Sequence, residues 1–325
     1  MQSSMMSSAV AAVVVAAAPA AAQDWPTRPV TMVVAAAAGG TSDVMARILT
    51  PRLSELLGQQ VIVENVSGAG GMIGASRVAK AAPDGYQFVL GNVGTHAHNQ
   101  TLYKNPLYDA ASDFTSVVMI AELPLVLVAR KDLPASNLLE FVAYAKANQA
   151  KMQYGTPGAG SAPHLACALL NVAIGISITH IPYRGGGPAM QDLIAGRIDY
   201  QCPIAPVAIP QIEGKQVKAI AILAKDRSPI LSNVASAHEQ GLADFDATTW
   251  YAMFLPKGTP AAIIKKLSDA TVAAIDTPAL RQRLKEIGAT VMAPERRSPE
   301  YLQKFVESEI KKWATVIKAS GLSLD

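Results

Sequence analysis

Four glycine-rich segments are the parts of this 325-residue sequence whose residue types could hold a ligand. Each stands where a run typical of a strand gives way to a run typical of a helix. Glycine lets the backbone approach a ligand closely, and ligands of open α/β sheets bind beyond the carboxyl ends of the strands. One such segment is explained equally well as a turn, but four together favour a binding site. They are residues 37–43, 91–96, 155–164 and 183–188.

Two of these segments lead into helices with a hydroxyl side chain at the expected N-cap, which is Thr41 or Ser42 in one and Ser161 in the other. The free N–H groups of a helix start, together with its dipole, bind anions. Two such starts on opposite sides of a cleft would suit a small molecule with two carboxylates. Within the four segments the only Lys or Arg is Arg184. Neutral donors suffice, because about four charge-assisted hydrogen bonds of roughly 1.5–3 kcal/mol reach the roughly 8 kcal/mol of micromolar binding.

Three other chemistries fit the sequence less well. Residues 68–74 resemble a dinucleotide loop, but their spacing is GxGxxxG and Asp84 stands in a turn, so a tight strand–helix connection is preferred. The chain after residue 22 has no GxSxG nucleophile elbow. His96 and His98 lack a third metal ligand nearby, since residues 85–107 contain no Asp or Glu. We therefore expect no enzyme activity, no cofactor and no metal.

The composition predicts a folded chain of about two domains. Hydrophobic residues make up 50% and charged residues 16% of the sequence, which excludes disorder. A net charge of +3 without a long basic run excludes an electrostatic nucleic-acid binder. Strand and helix patterns alternate, as in sheets of parallel strands covered by helices. Strands are predicted at Val30–Val34, Val61–Val63, Phe88–Leu90, Val117–Ile120, Gln153–Gly155, Ile176–Pro182, Ile198–Ile204, Val217–Leu223 and Trp250–Leu255.

The predicted domain organisation has two α/β lobes and no flexible linker. The chain would cross to the second lobe near residues 123–128 and return near 249–255. The first lobe would then contain residues 23–124 and 249–325, and the second lobe residues 125–248. The amphipathic last helix, which begins at Ser298-Pro299, would pack against the first lobe.

The N-terminus resembles an export signal covering residues 1–22. An apolar run from Ala9 to Ala18 is too short to span a membrane, and small residues precede Gln23 as at a signal-peptidase site. The first 27 residues lack the usual Lys or Arg, which a mis-assigned start codon would explain; the alternative is an Ala-rich tail. An exported chain would lie in the periplasm, where Cys167 and Cys202 could pair. Their apolar surroundings favour buried free thiols instead.

Taken together, six motifs in order along residues 25–320 resemble the extracytoplasmic solute receptors of the tripartite tricarboxylate transporter family, the Bug-type receptors. The resemblance implies a periplasmic binding protein type II fold, with two α/β lobes joined by crossing strands and a ligand cleft between them. It also implies a monomer that captures a small organic acid and delivers it to membrane permease subunits. The motifs are Trp25–Val30, Gly39-Gly40 through Asp43, Val61–Asn65 with Gly68–Gly71 and Gly74, Ala81–Tyr86, His180–Gly185 and Lys257–Pro260.

The resemblance also implies which residues meet the ligand. One carboxylate would be held by two loops of the first lobe, partly through water, and the other end by a loop of the second lobe. Together with the fourth glycine segment and the residue after strand 198–202, the expected ligand-binding residues are Ala38, Gly39, Gly40, Thr41, Ser42, Asp43, Gly94, Thr95, His96, Gly158, Gly160, Ser161, His164, Tyr183, Arg184 and Pro203.

Two departures from the family pattern bear on the ligand. Ala35–Ala38 replace the usual prolines of the first loop and Thr41 its third glycine. Where receptors for amino acids carry an acid, this chain has Pro203 and Ile204, so no carboxylate would pair with an ammonium group. We therefore expect a dicarboxylate or an aromatic acid such as terephthalate, without an amine. The alternative function is a receptor that presents its closed form to a sensor kinase.

Overall fold

The computed structural model describes residues 25–324, so the expected export signal at residues 1–22 lies outside the described residues. The strands are β1 Val30–Val34, β2 Val61–Asn65, β3 Gln87–Asn92, β4 Phe114–Leu123, β5 Val126–Arg130, β6 Gln153–Thr156, β7 Thr179–Pro182, β8 Tyr200–Gln201, β9 Val217–Ile222, β10 Thr249–Pro256 and β11 Thr290–Val291. The helices are α1 Thr41–Leu57, α2 Met72–Ala79, α3 Asn99–Leu102, α4 Leu138–Asn148, α5 Ala162–Ile174, α6 Gly186–Ile194, α7 Ala205–Glu213, α8 Ala261–Ile275, α9 Pro278–Glu286 and α10 Pro299–Ser320.

These strands form two mixed sheets, in agreement with the expected α/β fold. The first sheet has the order β11-β4-β10-β3-β1-β2, and the second β7-β6-β8-β5-β9. The strands β1, β2 and β3 are parallel to one another, as are β6, β7 and β8. In contrast, β10 runs antiparallel to both β3 and β4. The parallel strands β1, β3, β6 and β7 lead into the four glycine-rich segments, which brings those segments to the carboxyl edges of the two sheets, where ligands of such sheets bind.

Two short stretches carry the chain between the sheets. Residues 124–125 join β4 of the first sheet to β5 of the second. The chain returns to the first sheet at the start of β10. Just before this strand, the Ala247 N–H donates to the Leu223 carbonyl at 2.9 Å. All eight residues of β10 are buried. Because successive strand side chains point to opposite faces, Trp250 and Tyr251 line different cavities on the two faces of β10.

Local signals in the sequence explain most element boundaries. Gly58 adopts the left-handed conformation that ends α1, with φ of 71°. Asn137 and Ser298 cap α4 and α10 through their side chains. Pro51 lies inside α1 and does not divide it. The sequence analysis did not predict α7, which contains Pro210 in its interior, a position where proline is usually disfavoured.

The expectation of free thiols is wrong. Cys167 of α5 and Cys202, the residue after β8, form a disulfide. Both residues are fully buried, so an apolar sequence context did not distinguish a buried thiol from a buried disulfide. The bridge fixes α5 to the end of β8, two elements whose ends reach the same cavity.

We expect His98 to make the protein less stable in mild acid. Its ring is buried edge-on against Trp313, with the centroids 4.4 Å apart. Burial, and then the charge of Lys312, lowers the pKa of His98 to about 3. The unfolded chain takes up this proton below about pH 6.5 while the native protein does not, so stability falls as the pH drops. Between pH 6.5 and 5 the loss is about 2 kcal/mol, at about 1.4 kcal/mol per unit.

Urea unfolding of the wild type and of His98→Leu at several pH values measures this effect. The variant should lose about 2 kcal/mol less than the wild type over that interval, whatever its stability at neutral pH. Equal losses in the two proteins would show that His98 is charged in the native state.

Candidate functional site

A cavity of about 540 Å³ lies between the carboxyl edges of the two sheets. From the first sheet it is lined by residues 35–37 and 40–42, by 67–71, and by Asn92, Tyr103 and Tyr251. From the second sheet it is lined by residues in 155–163, by 183–186, and by Gln201, Pro203, Ile204 and Val207. All four glycine-rich segments contribute at least one residue to the lining of this cavity.

Of the sixteen predicted site residues, eight line the cavity and eight do not. Those that line the cavity are Gly40, Thr41, Ser42, Gly158, Ser161, Tyr183, Arg184 and Pro203. Those that do not line it are Ala38, Gly39, Asp43, Gly94, Thr95, His96, Gly160 and His164.

The start of α1 is an uncapped helix N-terminus on the cavity wall. The expectation that Thr41 or Ser42 is the N-cap is wrong, because α1 begins at Thr41 and its N-cap is Gly40. Gly40 has no side chain, so the first-turn amides stay available to a ligand. Thr41 and Ser42 are buried residues of the cavity wall. This arrangement gives the first-sheet side uncharged donors and the positive end of a helix dipole.

Asp43 supports this helix start from behind. Its carboxylate accepts a hydrogen bond of 2.9 Å from the Gly39 N–H and pairs with Arg47 at 3.0 Å. Burial raises its pKa, but the hydrogen bonds from Arg47 and Gly39 outweigh burial and hold the pKa below its usual value. Asp43 therefore fixes the loop before α1 and is neutralised by Arg47, so its negative charge does not oppose an anion in the cavity.

The start of α5 offers fewer free donors than the start of α1. Ser161 is the N-cap, as predicted, and accepts a hydrogen bond from the His164 N–H at 3.3 Å. Its hydroxyl donates to the Gly158 carbonyl at 2.7 Å. Pro163 has no N–H at all, so Ala162 is left as the first-turn donor. The two helix starts meet at one cavity, but they are not equivalent anion sites.

The predicted histidines lie behind the cavity wall. His96 is fully buried and stacks on Phe254 with the centroids 3.8 Å apart. Its Nδ1 lies 2.8 Å from the Thr95 hydroxyl, and burial lowers its pKa to about 3. On the other side His164 accepts the Gly160 N–H through Nδ1 at 3.2 Å. Burial, followed by the nearby His180, lowers the pKa of His164 to about 4. These neutral rings position loops.

Sequence reasoning missed a third loop of the first-sheet side. Residues 67–71 line the cavity, whereas the sequence pattern at 68–74 predicts only a tight strand–helix connection. Gly68, Gly70 and Gly71 have positive φ values of 130°, 60° and 90°, which glycine adopts without strain. The signal in the sequence was that this segment, like the other four, is rich in glycine and follows a predicted strand. Also missed were Asn92, Tyr103, Gln201 and Tyr251.

The two sides of the cavity touch along one rim. A Cβ atom on Gly70 would lie 2.7 Å from the carbonyl carbon of Gly160. The Tyr103 hydroxyl donates to the Ala159 carbonyl at 3.3 Å. Glycine at position 70 is thus what allows the two loops to meet, and the described conformation is closed at this rim.

The charge of the cavity lining is distinctive. Among the residues that line it there is no Asp or Glu, and the only Lys or Arg is Arg184. Arg184 is exposed and forms no ion pair within residues 25–324. The lining can therefore accept a negative charge without a competing carboxylate, and offers nothing to balance an ammonium group.

Two further properties of the described residues bear on the kind of protein. Residues 25–324 contain no group of three or more His, Cys, Asp or Glu side chains placed to hold a metal ion. Within the same range, every helix is too short or too polar to cross a membrane.

The structure has two β-sheets packed with helices and joined by crossing strands, with a ligand-sized cavity between their carboxyl edges. This is the fold of a periplasmic binding protein. The receptor model of the tripartite tricarboxylate transporter family matches residues 45–322. The chain belongs to this family of solute-binding receptors, as the motifs in its sequence indicated.

Known relatives agree with this assignment. Protein BugT of Bordetella pertussis is 35% identical over 301 residues, which are 92% of this chain and 91% of that protein. MatC from Rhodopseudomonas palustris with bound malate is 39% identical, with a TM-score of 0.87 over 90% of this chain and 100% of that one. R. palustris Rpa4515 with adipate is 36% identical, with a TM-score of 0.87 over 92% of this chain and 99% of that one.

Proposed function

We propose that this protein is a periplasmic receptor that captures a small organic acid without an amine and delivers it to the membrane permease of a tripartite tricarboxylate transporter. The observation that carries the proposal is the cavity lining. It contains the start of α1, whose main-chain amides have no side-chain cap, and it contains no Asp or Glu. Malate in MatC and adipate in Rpa4515 support an organic acid as the ligand class. Binding requires no catalytic group, so the proposed role is transport rather than turnover.

The proposed lobes are residues 23–124 with 249–325, and residues 125–248. The acid binds between them: one carboxylate at the start of α1 and residues 67–71, and the rest of the molecule against the loops of the second lobe. Closure at the Gly70–Gly160 rim buries the ligand, and the ligand shifts the population toward this closed form. The protein acts as a monomer after removal of residues 1–22, and the permease recognises the closed form.

A thermal-shift and calorimetry series tests this function. The ligands are succinate, malate, adipate and terephthalate, with aspartate and glutamate as amine-bearing analogues and succinamide as an uncharged control. We expect at least one amine-free acid to raise the melting temperature, since a ligand at one hundred times its Kd adds about 2.7 kcal/mol of stability. Aspartate and glutamate should bind at least about tenfold more weakly, because an ammonium group would be buried without a partner. Tight binding of the amino acids alone would refute the proposal.

A further inference from the structure

Gln201 is a polar residue of the cavity wall whose amide is not satisfied by the protein. It is the last residue of β8 and pairs in register with Val128 of β5. Only 3% of its surface is exposed, yet it lines the cavity. Its Nε2 has no hydrogen-bond partner within the described part of the chain. An unsatisfied buried donor of this kind costs roughly 1–3 kcal/mol, so the native fold alone does not account for a glutamine here.

Two tyrosines near Gln201, in contrast, have hydrogen-bond partners for their hydroxyl groups. The hydroxyl of Tyr200, one residue earlier, donates to Asn171 Oδ1 at 2.6 Å. The hydroxyl of Tyr183, on the same wall, donates to Asp192 at 2.8 Å. Both tyrosine hydroxyls thus donate within the protein, whereas the Nε2 of Gln201, a residue that lines the cavity, has no partner among the described residues.

Gly155 of β6 packs beside this amide and leaves no room for a larger side chain. A Cβ atom there would lie 2.4 Å from Ile198 Cδ1, 3.1 Å from the ring of Tyr183 and 3.6 Å from Gln201 Nε2. A larger residue at position 155 would therefore displace the side chains around the amide. The second side of the cavity combines an unsatisfied amide donor with the exposed cation of Arg184.

We propose that Gln201 donates a hydrogen bond to an oxygen acceptor at the far end of the ligand, and so selects acids with a second carboxylate or another terminal oxygen over simple monoacids. This inference rests on the proposed function and narrows its ligand class. Contacts between one ligand carboxylate and the main-chain amides at the start of α1 give affinity for any acid of suitable size. Gln201 gives selectivity, because a ligand with an apolar far end leaves its amide buried and unpaired.

Calorimetry with acids matched in length tests the selectivity directly. Adipate is compared with hexanoate, and succinate with butyrate, in the wild type, in Gln201→Leu and in Gln216→Leu. Gln216 is exposed, so the last variant makes the same substitution away from the cavity. We expect the wild type to bind the better-fitting diacid at least about tenfold more tightly than its monoacid, from one hydrogen bond to a charged group. Gln201→Leu should lose about 10- to 100-fold for that diacid and bind the monoacid equally or more tightly.

The outcomes separate this inference from the function on which it rests. If the wild type binds none of these acids and none of the amine-free acids of the thermal-shift series, the proposed function fails. If it binds the diacid and monoacid equally, or if Gln201→Leu weakens both to the same degree, Gln201 is not a selectivity residue and the proposed function stands. Should Gln201→Leu not fold, Gln201→Glu keeps the shape and polarity. It should repel the diacid more strongly than the monoacid, and equal effects on the two would overturn the inference.

Discussion

Replacing Cys167 and Cys202 together by alanine is expected to lower the free energy of unfolding by about 4 kcal/mol. The bridge joins residues 35 apart, and a loop of this length restricts the unfolded chain by roughly that amount in the chain-entropy description. Alanine avoids placing a hydroxyl in the fully buried site. Urea denaturation of the double variant and of the oxidised wild type measures the difference.

The reduced wild type is the matched control for this variant. It lacks the bridge but keeps both sulfur atoms, so its stability should approach that of the double alanine variant. We also expect ligand affinity to fall in both proteins, because α5 and the end of β8 each lead to cavity residues, Ser161 and Pro203. A loss of less than about 1 kcal/mol in both would contradict a stabilising role for the bridge.

Replacing Gly70 by alanine is expected to weaken binding about 30-fold, with a much smaller effect on folding. The new Cβ atom would lie 2.7 Å from the Gly160 carbonyl carbon, so the rim could close only with distortion. Overpacking of this kind costs about 2 kcal/mol. The clash exists only where the two sides of the cavity meet, so it opposes the closed form and leaves each side intact. Calorimetry with an acid that binds the wild type measures the loss.

Gly58→Ala controls for the backbone part of this substitution. Gly58 has φ of 71°, close to the 60° of Gly70, but a Cβ atom there would have nothing within 4 Å. Both variants should lose about 1 kcal/mol of stability from the left-handed conformation. Only Gly70→Ala should lose affinity. Equal dissociation constants for the two variants would show that closure at this rim does not accompany binding.

The sequence revealed those features of the site that depend on local chemistry. Glycine-rich segments after strands and the cap at Ser161 each follow from a few neighbouring residues, and each is present in the structure. The same local reasoning failed for α1, where Gly40 rather than a hydroxyl residue is the cap. A one-residue shift in a helix start depends on backbone angles that composition does not fix.

Features that depend on tertiary placement were out of reach. The contact between residues 67–71 and the cavity follows from β2 lying next to β1, and the pairing of Cys167 with Cys202 follows from α5 packing near β8. His96 belonged to the correct segment, yet its ring turns away from the cavity and stacks on Phe254. A residue's presence in a cavity loop therefore did not predict whether its side chain lines the cavity.

A crystal structure with the acid that gives the largest thermal shift tests most directly whether main-chain amides between the two sheets hold an anion. We expect a carboxylate oxygen within hydrogen-bond distance of the main-chain nitrogen of Thr41 or Ser42, and the remainder of the acid against residues of the second sheet's loops. An acid bound in the separate cleft lined by Trp250 and Lys312, or held through side-chain cations while the amides at the start of α1 face solvent, would contradict it.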